Sequence, residues 1–131
     1  MIDNNYLYSD LTAKIIGCSY EVHRQLGNGF QEKIYQRALA FEFNASQLQY
    51  IMEMTIPIYY KDVFIGNRRV DFYVEDKIMV ELKAVKQLED VHLAQAINYL
   101  EIYRKEVGLL INFGSKKLEF KRVMKKFDSN Y

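Results

Sequence analysis

Residues 69–83 read Arg69-Val-Asp-Phe-Tyr-Val74-Glu-Asp-Lys77-Ile-Met-Val-Glu-Leu-Lys83, and their alternation decides the fold. Val70, Phe72 and Val74 alternate with Asp71 and Tyr73. Ile78, Val80 and Leu82 alternate with Met79, Glu81 and Lys83. A period of two on each side of the polar Glu75-Asp76-Lys77 turn predicts an antiparallel hairpin, with Val70, Phe72 and Val74 on one face and Asp71 on the other. Glu81 and Lys83 then project from one face, about 6.6 Å apart at about 3.3 Å rise per residue. In the obvious register Asp71 joins them, so two carboxylates and an ammonium converge on one patch. A Glu-x-Lys strand taken alone is more often a solvated sheet face with mixed charges.

Upstream, Ser9 and Asp10 stand where an N-cap belongs, and Leu11, Ile15, Cys18, Val22 and Leu26 follow at helical spacing. Gly27-Asn28-Gly29 stops that helix. A second helix is predicted from about Phe30 through Phe43, with Phe30, Ile34, Ala38 and Phe41 as its apolar stripe and Glu32 in its first turn. Glu32 there suits the helix dipole, an effect worth a few tenths to about 1 kcal/mol. From Tyr50 the period becomes two. Pro57 marks that strand as an edge or an irregular start, Lys61-Asp62 turns the chain, and Gly66-Asn67 is expected to break the next strand before Arg69.

Downstream, residues 87–105 predict a long helix whose stripe is Leu93, Ala96, Ile97, Leu100 and Tyr103, with His92, Gln95 and Tyr99 on a more polar one. Gly108 to Phe113 is an apolar run suited to a sheet centre, and Leu118 to Val123 a last strand or extended tail. The order αα-βββ-α-ββ predicts an α/β protein, a mixed sheet flanked by helices.

Composition bounds the function. The chain has 131 residues, half of them hydrophobic and 27% charged, with no Trp. That suits one globular domain over 1–131, long enough to bury a core without disulfides or structural metal. Cys18 is the lone cysteine, so intrachain disulfides and four-thiolate zinc sites are excluded, and His23 and His92 read as surface or core-edge residues. Met1 to Asp10 lacks signal-peptide character and no apolar run reaches membrane-spanning length, so the expectation is a cytoplasmic protein without membrane contact. The net charge of +1 argues against holding nucleic acid by bulk electrostatics alone. It is unevenly spread: residues 115–131 carry six basic against two acidic residues, a net of +4, and the preceding residues carry 12 against 15, a net of −3. Arg68, Arg69, Lys116, Lys117, Lys121 and Arg122 are therefore the candidates for a phosphate backbone, with a solvated tail as the alternative. The 11 tyrosines suit amphipathic core edges, or a stacking or dimer surface.

Asp71 and Glu81 are hard oxygen donors of the kind Mg²⁺ accepts in pairs, with waters and phosphate oxygens completing the shell. Gly29-Phe30-Gln31-Glu32-Lys33-Ile34-Tyr35 fits a Gly-x-x-Glu-x-x-Tyr signature, and Asp71, Glu81-Leu82-Lys83 and Gln95 follow it. The chain resembles the GxxExxY family of the PD-(D/E)xK nuclease superfamily from Leu11 to about Val123. The resemblance implies a restriction-endonuclease-like core and Mg²⁺-dependent hydrolysis of nucleic-acid phosphodiesters, with Mn²⁺ as a substitute and DNA favoured over RNA. It further implies Asp71, Glu81 and the Leu82 backbone carbonyl as metal ligands, with Glu32 as a further ligand or water-mediated partner. Lys83 would orient the attacking water and stabilise charge, since an ammonium beside carboxylates keeps its proton. Gln95 would complete the catalytic set, with Tyr35 and Tyr99 supporting it. Val70 replaces the proline that names the superfamily, and that proline donates no ligand. Two rivals belong to other classes: a non-catalytic nucleic-acid-binding or protein-interaction module that keeps the fold, and a purely structural or dimerising protein. A homodimer is compatible with all three.

Overall fold

The computed structural model describes residues 7–127. The signal-peptide reading of Met1 to Asp10 and the end of the basic C-terminal segment therefore fall partly outside the described residues. Helices α1 (Ser9–Leu26) and α2 (Glu32–Ala45) precede strands β1 (Tyr50–Tyr60), β2 (Val63–Val74) and β3 (Ile78–Lys83). Helix α3 (Asp90–Tyr103) and strands β4 (Val107–Asn112) and β5 (Glu119–Met124) complete the order expected from the sequence. One five-stranded sheet runs β1-β2-β3-β4-β5, with β3 and β4 parallel and the other pairs antiparallel. The result is a mixed α/β sheet of restriction-endonuclease-like architecture. Among the described residues no helix is long and apolar enough to cross a membrane.

Two apolar layers hold the sheet. On one face Ile15, Cys18 and Val22 of α1 and Tyr35, Leu39 and Phe43 of α2 pack on Phe72, Val74, Val80, Leu82 and Ile111. On the other, Ala96, Tyr99 and Leu100 of α3 cover Ile56, Val70, Tyr73, Met79 and Val123. Each large side chain so buried contributes roughly 1.5–3 kcal/mol. β4 is buried at every position, as its unbroken apolar run requires.

Several local expectations are corrected. Helix α2 starts at Glu32 and buries Tyr35, Gln36, Leu39 and Phe43, whereas Phe30, Ile34 and Phe41 are exposed. The stripe through Tyr35 wins because its ring stacks on Phe113 at 4.7 Å while its hydroxyl donates to the Gly27 carbonyl at 2.6 Å and accepts from Phe30 N–H at 3.1 Å. Tyr8, not Ser9 or Asp10, occupies the N-cap of α1. Gly27 closes that helix at φ +73, a left-handed conformation that only glycine adopts without strain. Helix α3 is shorter than expected because Glu89 and His92 form a capping box that sets its start. On that helix Ala96 and Leu100 of the predicted stripe are buried, whereas Ile97 is exposed and Tyr99 is buried in its place. Strand β2 runs on through Gly66-Asn67, and the irregularity falls beside them: Ile58 pairs with Gly66 and Tyr59 with Phe64, which leaves Ile65 as the extra residue on β2.

The largest correction lies at Asp71. Val70 packs in the α3 layer, whereas Phe72 and Val74 pack in the α1–α2 layer. The face changes because both strands of the β1–β2 pair roll over at one level: the register runs Met52↔Phe72, then Met54↔Val70, and Glu53 between them has φ 57. A non-glycine residue held in the left-handed region is strained, and such residues cluster at active sites.

Candidate active site

At the roll-over the Asp71 backbone leaves the regular ladder. Its N–H donates to Glu81 Oε1 at 3.2 Å, and its carbonyl accepts from Gln36 Nε2 at 3.4 Å. Its own carboxylate accepts the Leu82 N–H at 2.7 Å through Oδ2. β2 and β3 pair only from Phe72↔Val80 to Val74↔Ile78, so past that point side chains replace the ladder and the strands open into a notch. Asp71 and Glu81 face one another across it. In an extended strand a residue's N–H and C=O point to the same side, so the Leu82 carbonyl faces the notch along with its N–H.

The notch disfavours negative charge. Burial raises the Asp71 carboxyl to about 6, with Glu32 and Glu53 adding to the shift and the Leu82 N–H and Lys83 opposing it. Burial, reinforced by the Asp71 charge, raises Glu81 to about 8, while the Asp71 N–H, Lys83 and Arg68 oppose it. Two hard oxygen donors held in a desolvated notch form a donor set that a divalent cation fits and that Lys83 and Arg68 only partly satisfy. Among the described residues no group of three or more His, Cys, Asp or Glu side chains is arranged to hold a metal ion, so the fit rests on the two carboxylates and the adjoining carbonyl.

The other predicted residues divide into those near the notch and those away from it. Lys83, half-buried at the end of β3, acts electrostatically on both carboxylates. Glu32, exposed at the start of α2, is close enough for its charge to act on Asp71. Arg68 acts on Glu81 and donates through Nε to the Tyr99 hydroxyl at 2.6 Å, with its guanidinium 5.5 Å from the Tyr99 ring centre. Tyr35 is fully buried behind the Gly27–Phe30 turn. Gln95 is half-buried on α3 and makes no hydrogen bond with the described residues. Arg69 pairs with Glu53 at 3.5 Å. Lys116 and Lys117 are exposed in the β4–β5 turn and Lys121 is exposed on β5. Arg122 is turned inward and donates to the Leu7 carbonyl, so it ties β5 to the start of α1 instead of facing solvent.

The sequence reading missed three groups. Gln36 is buried beside Asp71, signalled only as a polar residue on the Tyr35 side of α2. Glu53 stands opposite Asp71 and pairs with Lys33 at 2.6 Å; its signal is a lone charge between Met52 and Met54. Asn112, fully buried, bonds both the N–H and the carbonyl of Val85, the Gly114 N–H and Glu119 Oε1. Glu119 also accepts the Leu88 N–H at 3.1 Å, so the loop leaving Lys83 is pinned at both ends.

A family model described as the PD-(D/E)XK nuclease superfamily matches residues 9–123. The chain belongs to this superfamily. The matched residues span the Asp71–Glu81 notch. Among solved structures, that of SSO0001 aligns at a TM-score of 0.57 and 16% identity, covering 75% of this chain and 52% of that one. The chain thus spans about half the length of that protein, and the likeness speaks for the fold alone. Among curated proteins, none matches.

Proposed function

We propose that this chain is a Mg²⁺-dependent nuclease of the GxxExxY family, a single domain over 1–131 that hydrolyses phosphodiesters of DNA in preference to RNA. The observation that carries the reading is the notch, in which Asp71 and Glu81 meet under burial that raises both their pKa values, with Lys83 alongside. Asp71, Glu81 and the Leu82 carbonyl would hold the cation, and Glu32 would assist from α2. When bound, Mg²⁺ supplies charge neutralisation at the phosphate and acidifies the attacking water. Mn²⁺ offers the same hard-cation chemistry.

The chain's own residues then have distinct duties. Lys83 orients the nucleophile and stabilises the charge that develops at phosphorus. Arg68, fixed by the Tyr99 hydroxyl, offers a planar donor to a phosphate oxygen beside Glu81. Gln95 lies on the helix that bears Tyr99 and is unengaged with the described residues, so it has donors and an acceptor to give to substrate or solvent. Arg69, Lys116, Lys117 and Lys121 supply exposed positive charge farther out. A lone buried Cys18 suits a reducing cytoplasm.

The test is cleavage of single-stranded, duplex and branched DNA and of RNA by purified protein with Mg²⁺ or Mn²⁺. Metal-dependent cleavage of DNA that Glu81→Ala, Asp71→Asn and Lys83→Ala each abolish supports the proposal. No cleavage of any substrate, or cleavage that survives Glu81→Ala, overturns it.

A further inference from the structure

Asp71 lies within β2, yet the register of neither neighbouring strand includes it: β1 passes from Met52↔Phe72 to Met54↔Val70, and β3 stops at Phe72↔Val80. A half-buried residue outside the ladders must find other partners for its N–H and C=O. Asp71 has three such bonds. Its N–H donates to Glu81 Oε1 at 3.2 Å, its carboxylate accepts the Leu82 N–H at 2.7 Å, and its carbonyl accepts from Gln36 Nε2 at 3.4 Å. The first two partners belong to β3 and are themselves part of the notch. Gln36 alone comes from a helix.

Gln36 is 4% exposed and stands on α2 one turn after Glu32. Residues four apart share a helix face, so the turn that carries Glu32 also brings in the Gln36 amide. The charge of the one acts on Asp71 while the other holds the Asp71 carbonyl. The other buried side chains of α2, Tyr35, Leu39 and Phe43, pack in the apolar layer. Among the described residues, the amide is therefore the one buried polar tie from α2 to the sheet. For packing alone it is a poor choice, because burying it costs rotamer freedom and desolvation that an apolar side chain of the same length would avoid. What the amide adds is direction. It fixes the peptide that follows Asp71, and with it the Cα from which the carboxylate projects, against the helix that bears Glu32. Hydrogen bonds that orient metal ligands from behind are worth about 10- to 100-fold in metal affinity.

We infer that Gln36 is a positioning residue for the cation site: through the Asp71 carbonyl it sets where the Asp71 carboxylate stands relative to Glu81 and Glu32. The inference rests on the cation-binding part of the proposed function and does not require cleavage. Calorimetric titration of the full chain with Mn²⁺ tests it. Gln36→Met and, as a second variant, Gln36→Leu fill the space without a donor; each should raise the Kd for Mn²⁺ at least about 10-fold at unchanged stoichiometry, while melting cooperatively in far-UV circular dichroism. Leu39→Val, a buried apolar change one turn further along α2, should lower the melting temperature yet bind Mn²⁺ like wild type. In cleavage assays the Mg²⁺ concentration giving half the maximal rate should rise by the same factor in the Gln36 variants, and the rate at saturating Mg²⁺ should stay close to wild type. Gln36 variants that keep the wild-type Kd overturn the inference, even where Glu81→Ala abolishes binding and the cation site stands. So does a fall in stoichiometry at unchanged Kd, an equal weakening by Leu39→Val, or the failure of both Gln36 variants to melt cooperatively, since each marks a purely structural role. A wild type that binds no Mn²⁺ removes the cation site and this inference together, whereas Mn²⁺ binding that depends on Gln36 without cleavage of any substrate refutes the nuclease reading alone.

Discussion

Replacing Glu81 by Gln should stabilise the metal-free protein at pH 8 while removing its response to Mg²⁺. The carboxyl moves from an ordinary 4.5 to about 8 on folding, mainly through burial. The folded state therefore binds more protons than the unfolded chain between pH 4.5 and about 8, so the free energy of unfolding falls as pH rises through that window and levels off above it. At about 1.4 kcal/mol per pKa unit the loss reaches about 4 kcal/mol at pH 8. Glu81→Gln removes the charge but keeps an oxygen to accept the Asp71 N–H, which now lies 3.2 Å from Oε1. It also relieves Asp71, whose charge is one cause of the Glu81 shift. Thermal melts without divalent cations should place the variant about 10 °C above wild type at pH 8, at about 3 °C per kcal/mol for this chain length. The two should converge toward pH 4.5, where both carry a neutral group at this position. With Mg²⁺ at about 100 times its Kd, wild type should regain about 2.7 kcal/mol and the variant almost nothing. A variant no more stable than wild type at pH 8, or a wild-type melting temperature flat across the window, would refute the buried-charge account of the notch.

Other consequences follow from named contacts. Asn112→Ala strands the N–H and carbonyl of Val85, the Gly114 N–H and part of the Glu119 environment; denaturant melts should show a loss of about 3–4 kcal/mol. In Gly114→Ala the new Cβ meets the backbone of Ala84 and Val85 at 2.5 Å; the loop after Lys83 must shift, and cleavage should drop with a stability cost of about 1–3 kcal/mol. Tyr35→Phe loses the hydroxyl's bonds to Gly27 and Phe30, which should lower stability by about 2 kcal/mol in the same melts. Tyr99→Phe frees Arg68 Nε from its 2.6 Å acceptor; substrate binding should weaken about 10-fold, seen in KM with kcat little changed.

The sequence carried the element order because each segment's period had one reading at its own scale: two for the hairpin, helical spacing for α1, an unbroken apolar run for β4. It also carried the pairing of Asp71 with Glu81, which needed only a hairpin and a register. It failed where two apolar stripes competed on one helix. In α2 the Phe30–Phe41 stripe is the more hydrophobic by composition, yet Tyr35 wins through hydrogen bonds to a turn that periodicity does not describe. Arg122 failed for a related reason: a basic residue in a basic segment reads as solvated until the Leu7 carbonyl, 115 positions away, comes to accept a hydrogen bond from its guanidinium. Gln36, Glu53 and Asn112 share that character, since each acts on main-chain or side-chain groups distant in sequence.

One irregularity links the site to the hairpin. Were β1 and β2 regular through Glu53 and Asp71, Val70 would stay in the α1–α2 layer with Phe72, and the Asp71 N–H would be free to pair in a ladder. The roll-over instead hands that N–H to Glu81 and opens the notch, and it turns Met54, Ile56 and Val70 toward α3. Arg68, two residues from Val70, is thereby brought over Tyr99. Beyond that level the hairpin runs on past β3, which pairs with β2 only at Phe72 to Val74. The left-handed backbone at Glu53 thus stands opposite the residue whose N–H is handed to Glu81. Forcing a regular strand at Glu53, as with Glu53→Val, should therefore weaken Mn²⁺ binding in calorimetry.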